Sequence, residues 1–232
     1  MYSYFRQEKI DLAFNKVACR KGRYIMEILA YGEDALTIWV LRNKLEYILQ
    51  ELGDSPNSLK CLTFFRPSFG RRGGENSSQF GEFDFILLTA NRIYLGESKW
   101  DNSSEKIVHG KLELRDEQLL RHKLFKFYIE EWAFGQYANW QAFANEAGPK
   151  LKKMGVEKPI APAGTLLAEN LQTALKLIKE HYANTGQPEI KNMLLYFHKN
   201  PSNAQLPQSA GDNFEVVLID YSKELTGSYI KL

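Results

Sequence analysis

The chain has 232 residues, of which 44% are hydrophobic and 25% charged, a composition typical of a folded globular domain with a substantial core. Its net charge of +2 excludes the strongly basic character of a general nucleic-acid binder, so any such site must come from local clustering of charge. The two cysteines, Cys19 and Cys61, are too few for a disulfide framework or a four-cysteine metal site.

The N-terminal segment has no long apolar run behind a basic stretch, so we expect no signal peptide. No segment approaches roughly 18 consecutive apolar residues, so we expect no membrane span and no membrane partner. The two thiols then indicate a reducing compartment, and the expected location is cytoplasmic. The four histidines form no HExxH pattern, which argues against a histidine-based zinc enzyme.

The first sixty residues predict mainly helix. Within residues 36–52 apolar side chains recur at steps of three and four, which indicates one buried helical face. The members of this stripe are Ile38, Leu41, Leu45, Ile48, Leu49 and Leu52. Residues 53–58, with the sequence GDSPNS, then end the helix, because glycine and proline interrupt it and serine and asparagine favour turns.

Three strand-like segments follow, at residues 59–65, 83–89 and 92–100. The second is a continuous apolar run that contains a single acid, Asp84. Between the first two lies a glycine- and arginine-rich loop, residues 66–82, without the GK[ST] element of a P-loop. We expect Arg66, Arg71 and Arg72 of this loop to contact the phosphates of a nucleic acid. The alternative is an ordinary surface loop.

Helical spacing returns at residues 114–132, 136–154 and 166–182, and two further strands are predicted at residues 193–198 and 214–221. The order of helix, three strands, helices and two strands predicts an α/β fold in which helices flank a mixed central sheet. We interpret residues 1–232 as a single domain, in which residues 133–165 are a candidate helical insertion.

Residues 83–89 and 92–100 are expected to form an antiparallel hairpin around residues 90–91. In that register Asp84 faces Glu97 across the two strands. Side chains alternate along a strand, so Glu97 and Lys99 share one face while Ser98 points to the other. Asp84, Glu97 and Lys99 are therefore expected to converge on one face of a largely apolar hairpin.

Two carboxylates opposed across strands repel each other, with Cβ atoms roughly 5 Å apart, and buried charges need partners. A hard divalent cation meets both needs, because Mg²⁺ takes oxygen ligands from one or two carboxylates together with phosphate and water. We therefore expect Asp84 and Glu97 to bind Mg²⁺ or Mn²⁺, with Lys99 beside the charge that develops during phosphodiester hydrolysis. The simpler alternative is an ion pair between Asp84 and Lys99 on a solvated face.

In these residues the chain resembles the PD-(D/E)xK nuclease superfamily, which has the restriction-endonuclease-like fold. Asp84 corresponds to the first acid of the motif, and Glu97 with Lys99 corresponds to the (D/E)xK element. Phe83 stands where the motif has proline. The resemblance covers residues 36–132 and implies a helix, a three-stranded meander, a helix and a further strand. It also implies a metal-dependent nuclease that acts on DNA rather than RNA.

The predicted helix after the motif has Gln118 and His122 on one face, with Arg115 three residues earlier on the same side. The sequence QLLRH resembles the Q-x-x-x-Y element of RecB-like nucleases, with His122 in place of tyrosine. This resemblance implies a catalytic role for Gln118 and substrate contacts for Arg115 and His122, and the alternative is a solvent-facing helix. The superfamily often adds an acid from the first core helix, for which Glu46 is the candidate and Glu27 the alternative.

The resulting expectation is a Mg²⁺-dependent deoxyribonuclease whose partner is DNA. No separate specificity domain is visible in the sequence, which indicates structure-selective cleavage or targeting through a homodimer or a partner protein. A first alternative is a catalytically inactive module of the same fold that binds nucleic acid or protein. A second is a nucleotide-processing hydrolase, although the sequence has no P-loop, histidine metal cluster or GxSxG element.

Overall fold

The computed structural model describes residues 26–55, 60–69, 81–101, 103–156, 160–199, 206–211 and 213–232. The helices are α1 (Glu33–Asn43), α2 (Leu45–Glu51), α3 (Asp116–Tyr128), α4 (Trp140–Lys153) and α5 (Leu166–His181), and a π-helical turn (Ile129–Ala133) follows α3. The strands are β1 (Leu29–Ala30), β2 (Leu62–Phe65), β3 (Phe85–Leu88), β4 (Arg92–Trp100), β5 (Ile107–Val108), β6 (Lys111–Leu112), β7 (Glu189–His198), β8 (Ser209–Ala210), β9 (Phe214–Asp220), β10 (Leu225–Thr226) and β11 (Tyr229–Lys231).

The longest strands form the centre of an eight-stranded sheet with the order β2-β3-β4-β7-β9-β8-β6-β5. Strands β2, β3 and β4 run antiparallel as a meander, whereas β7 lies parallel to β4 on one side and to β9 on the other. A separate three-stranded antiparallel sheet joins β1, β11 and β10. The predicted α/β class, with a mixed central sheet flanked by helices, is thereby confirmed.

The helices lie on both faces of the large sheet, and the alternation of side chains along β4 divides the core between them. Ile93 joins the core cluster that α3, α4 and α5 build, which includes Phe125. Tyr94, the next residue, belongs to the opposite cluster, to which Val40 of α1 and Leu49 of α2 contribute. A polar side chain on β4 must therefore find its partners inside one of these two layers.

The first predicted helix is present but interrupted. Helices α1 and α2 replace the single helix expected over residues 36–52, and Lys44 between them has a non-helical backbone (φ −130°, ψ 20°). Leu41 and Ile48 of the predicted stripe are buried in the same core on either side of the break, whereas Ile38 is only partly buried. The second helix ends at Glu51, next to the predicted stop at residues 53–58.

The later helices follow the prediction closely. The helix expected over residues 114–132 is α-helical to Tyr128 and then makes the π-helical turn, which the spacing of apolar residues does not reveal. The helices expected over residues 136–154 and 166–182 are confirmed as α4 and α5. Trp140 and Phe143, from the candidate insertion at residues 133–165, pack in the same core cluster as Ile86 of β3. No helix in the described part of the chain is long and apolar enough to cross a lipid bilayer.

The hairpin register expected from the sequence is confirmed, since β3 and β4 pair antiparallel with Leu87 opposite Tyr94. The strand predicted over residues 92–100 has those bounds, and the strands predicted over residues 59–65 and 83–89 are shorter. The strand predicted over residues 214–221 is confirmed as β9.

Strand β7 begins at Glu189 rather than at residue 193, because cross-strand ion pairs hold its polar first half. Glu189 lies 3.1 Å from Arg92 of β4, and Lys191 lies 2.6 Å from Glu215 of β9. The expectation of helix through the first sixty residues is wrong at β1, and residues 1–25 lie outside the described residues. Strands of two or three residues such as β1 are too short to show an alternating pattern.

Gly96 of β4 allows a close approach between two strands immediately before Glu97. A Cβ placed on Gly96 would lie 2.1 Å from Cζ of the Phe85 ring on β3. Phe85 is fully buried, so its ring cannot retreat without disturbing the surrounding core. Glycine at this position therefore lets a large aromatic ring pack directly over the strand that carries the candidate acid.

The variant Gly96→Ala is expected to lose about 1 to 3 kcal/mol of unfolding free energy, because the added methyl group must displace the buried Phe85 ring. Asn170→Ala in α5 is the control, since Asn170 is an exposed residue within a helix and alanine has the higher helix propensity. We expect the control to be as stable as the wild type or slightly more stable. Urea denaturation measures both changes, and equal midpoints for Gly96→Ala and the wild type would contradict the close packing.

Candidate active site

The pairing of β3 with β4 brings the predicted acids side by side. Asp84 immediately precedes β3 and, in the observed register, lies opposite Glu97. Its Oδ2 accepts a hydrogen bond from the backbone N–H of Ser98 at 2.7 Å. The Ser98 hydroxyl accepts a hydrogen bond from Thr37 of α1 at 2.8 Å, on the face of the sheet opposite to α3. This agrees with the predicted alternation, in which Ser98 points away from the acids.

Glu97 is 1% exposed, and α3 supplies hydrogen-bond donors to its carboxylate. Gln118 Nε2 donates to Oε2 at 2.7 Å, and Arg121 Nη2 donates to Oε1 at 2.5 Å. His122 Nε2 lies 3.0 Å from the same Oε1. Because residues three and four positions apart share a helical face, one turn of α3 surrounds the carboxylate.

Gln118 and His122 each link Glu97 to a second element. Gln118 Oε1 accepts the backbone N–H of Arg115 at 3.0 Å, so its amide bridges the start of α3 and β4. His122 Nδ1 lies 2.9 Å from Asn192 Oδ1 on β7. Both ring nitrogens of His122 therefore face oxygen atoms, and only the charged imidazolium can donate to both in this orientation of the amide.

Lys99 is 5% exposed, and oxygen atoms surround its ammonium group. Nζ donates to the carbonyl oxygen of Ser98 at 2.7 Å and lies 3.5 Å from Glu33 Oε1 and 3.8 Å from Glu105 Oε1. The ammonium is also close enough to Asp84 to lower the pKa of that acid in part. Lys99 thus lies among three carboxyl groups rather than in a single ion pair with Asp84.

Asp84 and Glu97 lie in one site, but their pKa values are shifted in opposite directions. Burial raises the pKa of Asp84, and the neighbouring Glu97 carboxylate adds to the rise. Burial also acts to raise the pKa of Glu97, but the His122 hydrogen bond and the Arg121 guanidinium outweigh it, so that this pKa lies below its usual range. Without a cation, Glu97 keeps the negative charge and Asp84 is the acid that takes up a proton more readily.

Glu33, the first residue of α1, is a further acid at this site. Burial raises the pKa of Glu33 to about 7; Lys99 opposes this rise, while repulsion from Asp84 and Glu105 adds to it. Acids with pKa values moved toward neutrality are concentrated in functional sites, where they exchange protons or bind cations. Glu33 therefore belongs with Asp84 and Glu97 among the candidate functional acids.

These side chains line an open cleft of about 430 Å³. Among the described residues its lining consists of five acids, three cationic side chains and one amide, namely Glu33, Glu82, Asp84, Glu97, Glu117, Lys99, Arg115, Arg121 and Gln118. The excess of acids attracts cations and repels phosphate groups. A ligand that carries phosphate can therefore bind here only when additional positive charge is present.

The structure corrects the acid predicted from the first helix. Glu46 lies on α2, is exposed, and lines a different hollow between α1 and α2. Glu27 is also exposed and pairs with Lys231. Glu33 takes the expected position instead, because α1 begins at the cleft whereas α2 lies beyond the break at Lys44.

Of the three loop arginines that were predicted to bind phosphate, the structure describes only Arg66. Arg71 and Arg72 lie outside the described residues. Arg66 forms ion pairs with Asp34 and with Glu82, which lines the cleft. Two acids therefore already hold the Arg66 guanidinium through its Nε and Nη1, and its Nη2 is the group that a phosphate would contact.

Arg115 lines the cleft with 70% of its side chain exposed, and its Nη2 lies 3.5 Å from Glu105. Its partner Glu105 also contacts Lys99, so one acid joins two cationic side chains at the rim. Arg115 is therefore accessible to solvent at the rim of the cleft, and its contact with a substrate remains a prediction.

The structure places three residues at the site that were not predicted from the sequence, namely Arg121, Glu33 and Asn192. Arg121 lies within the same helical turn as Gln118 and His122, so helical spacing could have identified it. Glu33 follows a glycine at the start of a helix, which is a recognisable helix-start position but does not indicate a site. Asn192 reaches His122 only because β7 lies beside β4, a pairing for which the sequence has no local signal.

Asp84 and Glu97 have the chemistry of a Mg²⁺ or Mn²⁺ site, since both offer hard carboxylate oxygens beside an open cleft. Within the described residues, no group of three or more histidine, cysteine or carboxylate side chains is arranged to hold a metal ion. Mg²⁺ needs only one or two carboxylates when water and phosphate complete its coordination. The residues therefore fit a two-carboxylate site, since Glu97 Oε2 faces one donor among the described residues and Oε1 can exchange one of its two.

Comparison with known proteins assigns the chain to no family. No family model matches it, and no curated protein or solved structure shows significant similarity to it. Function must therefore be inferred from the geometry and charge of the cleft itself.

Glu33 is expected to make the metal-free protein less stable as the pH rises. Its pKa is about 7 in the folded protein against an ordinary value of 4.5, so the folded state binds more protons than the unfolded state between these values. The unfolding free energy therefore falls as the pH rises through this window. In the Glu33→Gln variant the unfolding free energy should fall by about 1 to 2 kcal/mol less over this pH range than in the wild type.

Urea denaturation at about pH 5 and pH 8, with EDTA present, measures this difference. Glu46→Gln is the matched control, because it makes the same substitution at an exposed helical glutamate away from the cleft. If Glu33→Gln and the wild type lost the same stability between the two pH values, the assigned environment of Glu33 would be wrong.

Proposed function

We propose that the protein is a divalent-metal-dependent nuclease that hydrolyses phosphodiester bonds of DNA. The observation that carries the proposal is the convergence of Asp84, Glu97 and Lys99 in one acidic cleft. Two acids opposed on neighbouring strands repel each other, and a cation bound between them would relieve that repulsion. The preference for DNA over RNA follows from the resemblance of the motif to PD-(D/E)xK nucleases.

The order of the elements supports a restriction-endonuclease-like fold. Helix α1 precedes the antiparallel meander β2–β3–β4, and α3 and the parallel strand β7 follow it. The motif acids lie at β3 and on β4, and Gln118 on the next helix contacts Glu97. This contact supports a relationship to the RecB-like branch, with His122 in place of the tyrosine of that branch.

In the proposed reaction Asp84 and Glu97 bind Mg²⁺ or Mn²⁺ through their carboxylate oxygens. The cation supplies positive charge that neutralises the cleft and polarises the phosphoryl group. Lys99 holds its ammonium beside Asp84, where it stabilises negative charge that develops on the phosphate oxygens. Gln118 keeps the Glu97 carboxylate in one orientation by bridging it to the start of α3. Glu33, beside Lys99, would accept the proton that the attacking water loses as its oxygen bonds to phosphorus, and the oxygen displaced from phosphorus would take up a proton from solvent water.

A second candidate function is a catalytically inactive module of the same fold that binds nucleic acid or protein. The observation in its favour is that the oxygens of Glu97 already face three donors, so they are satisfied without a cation. The presence of Asp84, Glu97 and Lys99 together favours the enzyme, because a binding module needs no such set.

Cleavage assays on circular single-stranded, linear duplex and branched DNA, with matched RNA, test the proposal. We expect cleavage of at least one DNA substrate with Mg²⁺ or Mn²⁺ and none with EDTA. Asp84→Asn keeps an oxygen for the Ser98 N–H but loses the charge, and Lys99→Met keeps the aliphatic stem but loses the ammonium. Each variant should slow cleavage by roughly 100-fold or more.

Lys126→Met is the matched control, because Lys126 lies on the exposed side of α3 and pairs with Glu130. It should cleave at the wild-type rate. A folded wild-type protein that cuts no substrate with either metal would overturn the proposal in favour of the inactive binding module. Cleavage of RNA without cleavage of DNA would reverse the proposed substrate preference.

A further inference from the structure

The proposed reaction leaves the position of Arg121 unexplained. Its guanidinium donates to Glu97 Oε1, and 12% of its side chain is exposed. Its Cζ lies 5.3 Å from the centre of the Phe83 ring, and its Nη1 would be 2.8 Å from a Cβ on Gly81. The guanidinium is thus packed between an aromatic ring, the backbone and a carboxylate that the reaction requires.

Glu97 Oε1 cannot hold a divalent cation while Arg121 remains bound to it. A carboxylate oxygen has two lone pairs, and Oε1 already faces Arg121 and His122. A Mg²⁺ ion at about 2.1 Å from this oxygen would also lie beside the like charge of the guanidinium, where both side chains are buried and water screens the repulsion little. Cation and guanidinium therefore exclude each other at Oε1. Oε2, which faces Gln118, has a lone pair left, but a cation bound there would still lie beside the like charge of the guanidinium.

The guanidinium leaves one of its donors unpartnered among the described residues. Arg121 lines the cleft, and its Nε is buried with no hydrogen-bond partner among the described residues. A buried N–H without a partner costs free energy, so the present position does not use all the donors of this side chain. Rotation into the cleft would offer Nε and Nη to the oxygens of a phosphate, which accept paired donors from arginine.

We propose that Arg121 occupies Glu97 in the metal-free protein and exchanges this carboxylate for a phosphate of the nucleic acid when a divalent cation binds. This inference rests on the proposed function and adds a coupling between cation and substrate. Because coupling between two ligands is reciprocal, bound nucleic acid should also increase the affinity for the cation. The exchange would prevent the acidic cleft from holding a cation tightly before the substrate arrives.

Calorimetric titration of Mn²⁺ into the whole protein without nucleic acid tests the first half of this exchange. Arg121→Met keeps the apolar contact with Phe83 but removes the charge and the donors, so it should bind Mn²⁺ about tenfold more tightly than the wild type. Arg115→Met is the matched control, because it removes the same charge from the same cleft but from a side chain that pairs with Glu105. Its Mn²⁺ affinity should change less than about threefold.

Binding of a fluorescent DNA oligonucleotide in Ca²⁺, which prefers the same oxygen ligands, tests the second half. Arg121→Met should bind the oligonucleotide about tenfold more weakly than the wild type, although its affinity for the free cation is higher. A purely structural role of Arg121 would not move the two affinities in opposite directions. If Arg121→Met does not fold, Arg121→Gln, which keeps a donor without the charge, is judged by the same criteria.

Tighter Mn²⁺ binding together with weaker DNA binding supports the exchange. Unchanged or weaker Mn²⁺ binding by Arg121→Met, while the wild type binds Mn²⁺, would overturn the exchange and leave the proposed metal site intact. Tighter Mn²⁺ binding with unchanged DNA binding would also overturn it, because the guanidinium would then not move to the phosphate. If neither protein binds Mn²⁺, the inference and the proposed function both fail.

Discussion

The buried carboxylate of Glu97 is the constraint on which the rest of the site depends. With 1% of its surface exposed, it can stay ionised only if donors from the protein replace water. Gln118, Arg121 and His122 of α3 provide them, and His122 extends the connection to Asn192 on β7. One charged group thus determines which face α3 presents to the sheet and fixes β4, β7 and α3 relative to one another.

The charge on Glu97 also determines how the neighbouring acids behave. Asp84, directly across the hairpin, has a raised pKa because burial and the Glu97 charge both oppose its ionisation. The pKa of Glu33 is also raised, by burial and by repulsion from the neighbouring acids. Lys99 compensates only part of this excess negative charge. The metal-free cleft therefore holds electrostatic repulsion that a hard divalent cation would relieve. The neighbouring carboxyl groups that lower the stability of the metal-free protein are the same groups that would bind the cation.

The hairpin and its register could be predicted from the sequence, because two apolar strands joined by a short loop pair in one way that buries both. The acid that the first helix supplies could not be predicted. The apolar stripe identifies the buried face of the helix but not which end of the helix lies at the cleft. Glu46 was therefore expected where Glu33 is found. Helical spacing places Arg121 on the same face as Gln118 and His122 but gives no reason to choose it as a functional residue. Asn192 reaches the site only through the parallel pairing of β7 with β4, two strands that are far apart in the sequence. The two-residue strands left no periodic signal.

Anomalous diffraction from crystals soaked in Mn²⁺ tests the central claim most directly, because it locates the ion without relying on any choice of nucleic-acid substrate. We expect a Mn²⁺ peak between the two strands, within about 2.0 to 2.4 Å of a carboxylate oxygen of both Asp84 and Glu97. A Mn²⁺ ion bound away from this pair, or a cleft without a peak at a Mn²⁺ concentration that saturates the protein in solution, would contradict the claim that these acids form a metal site.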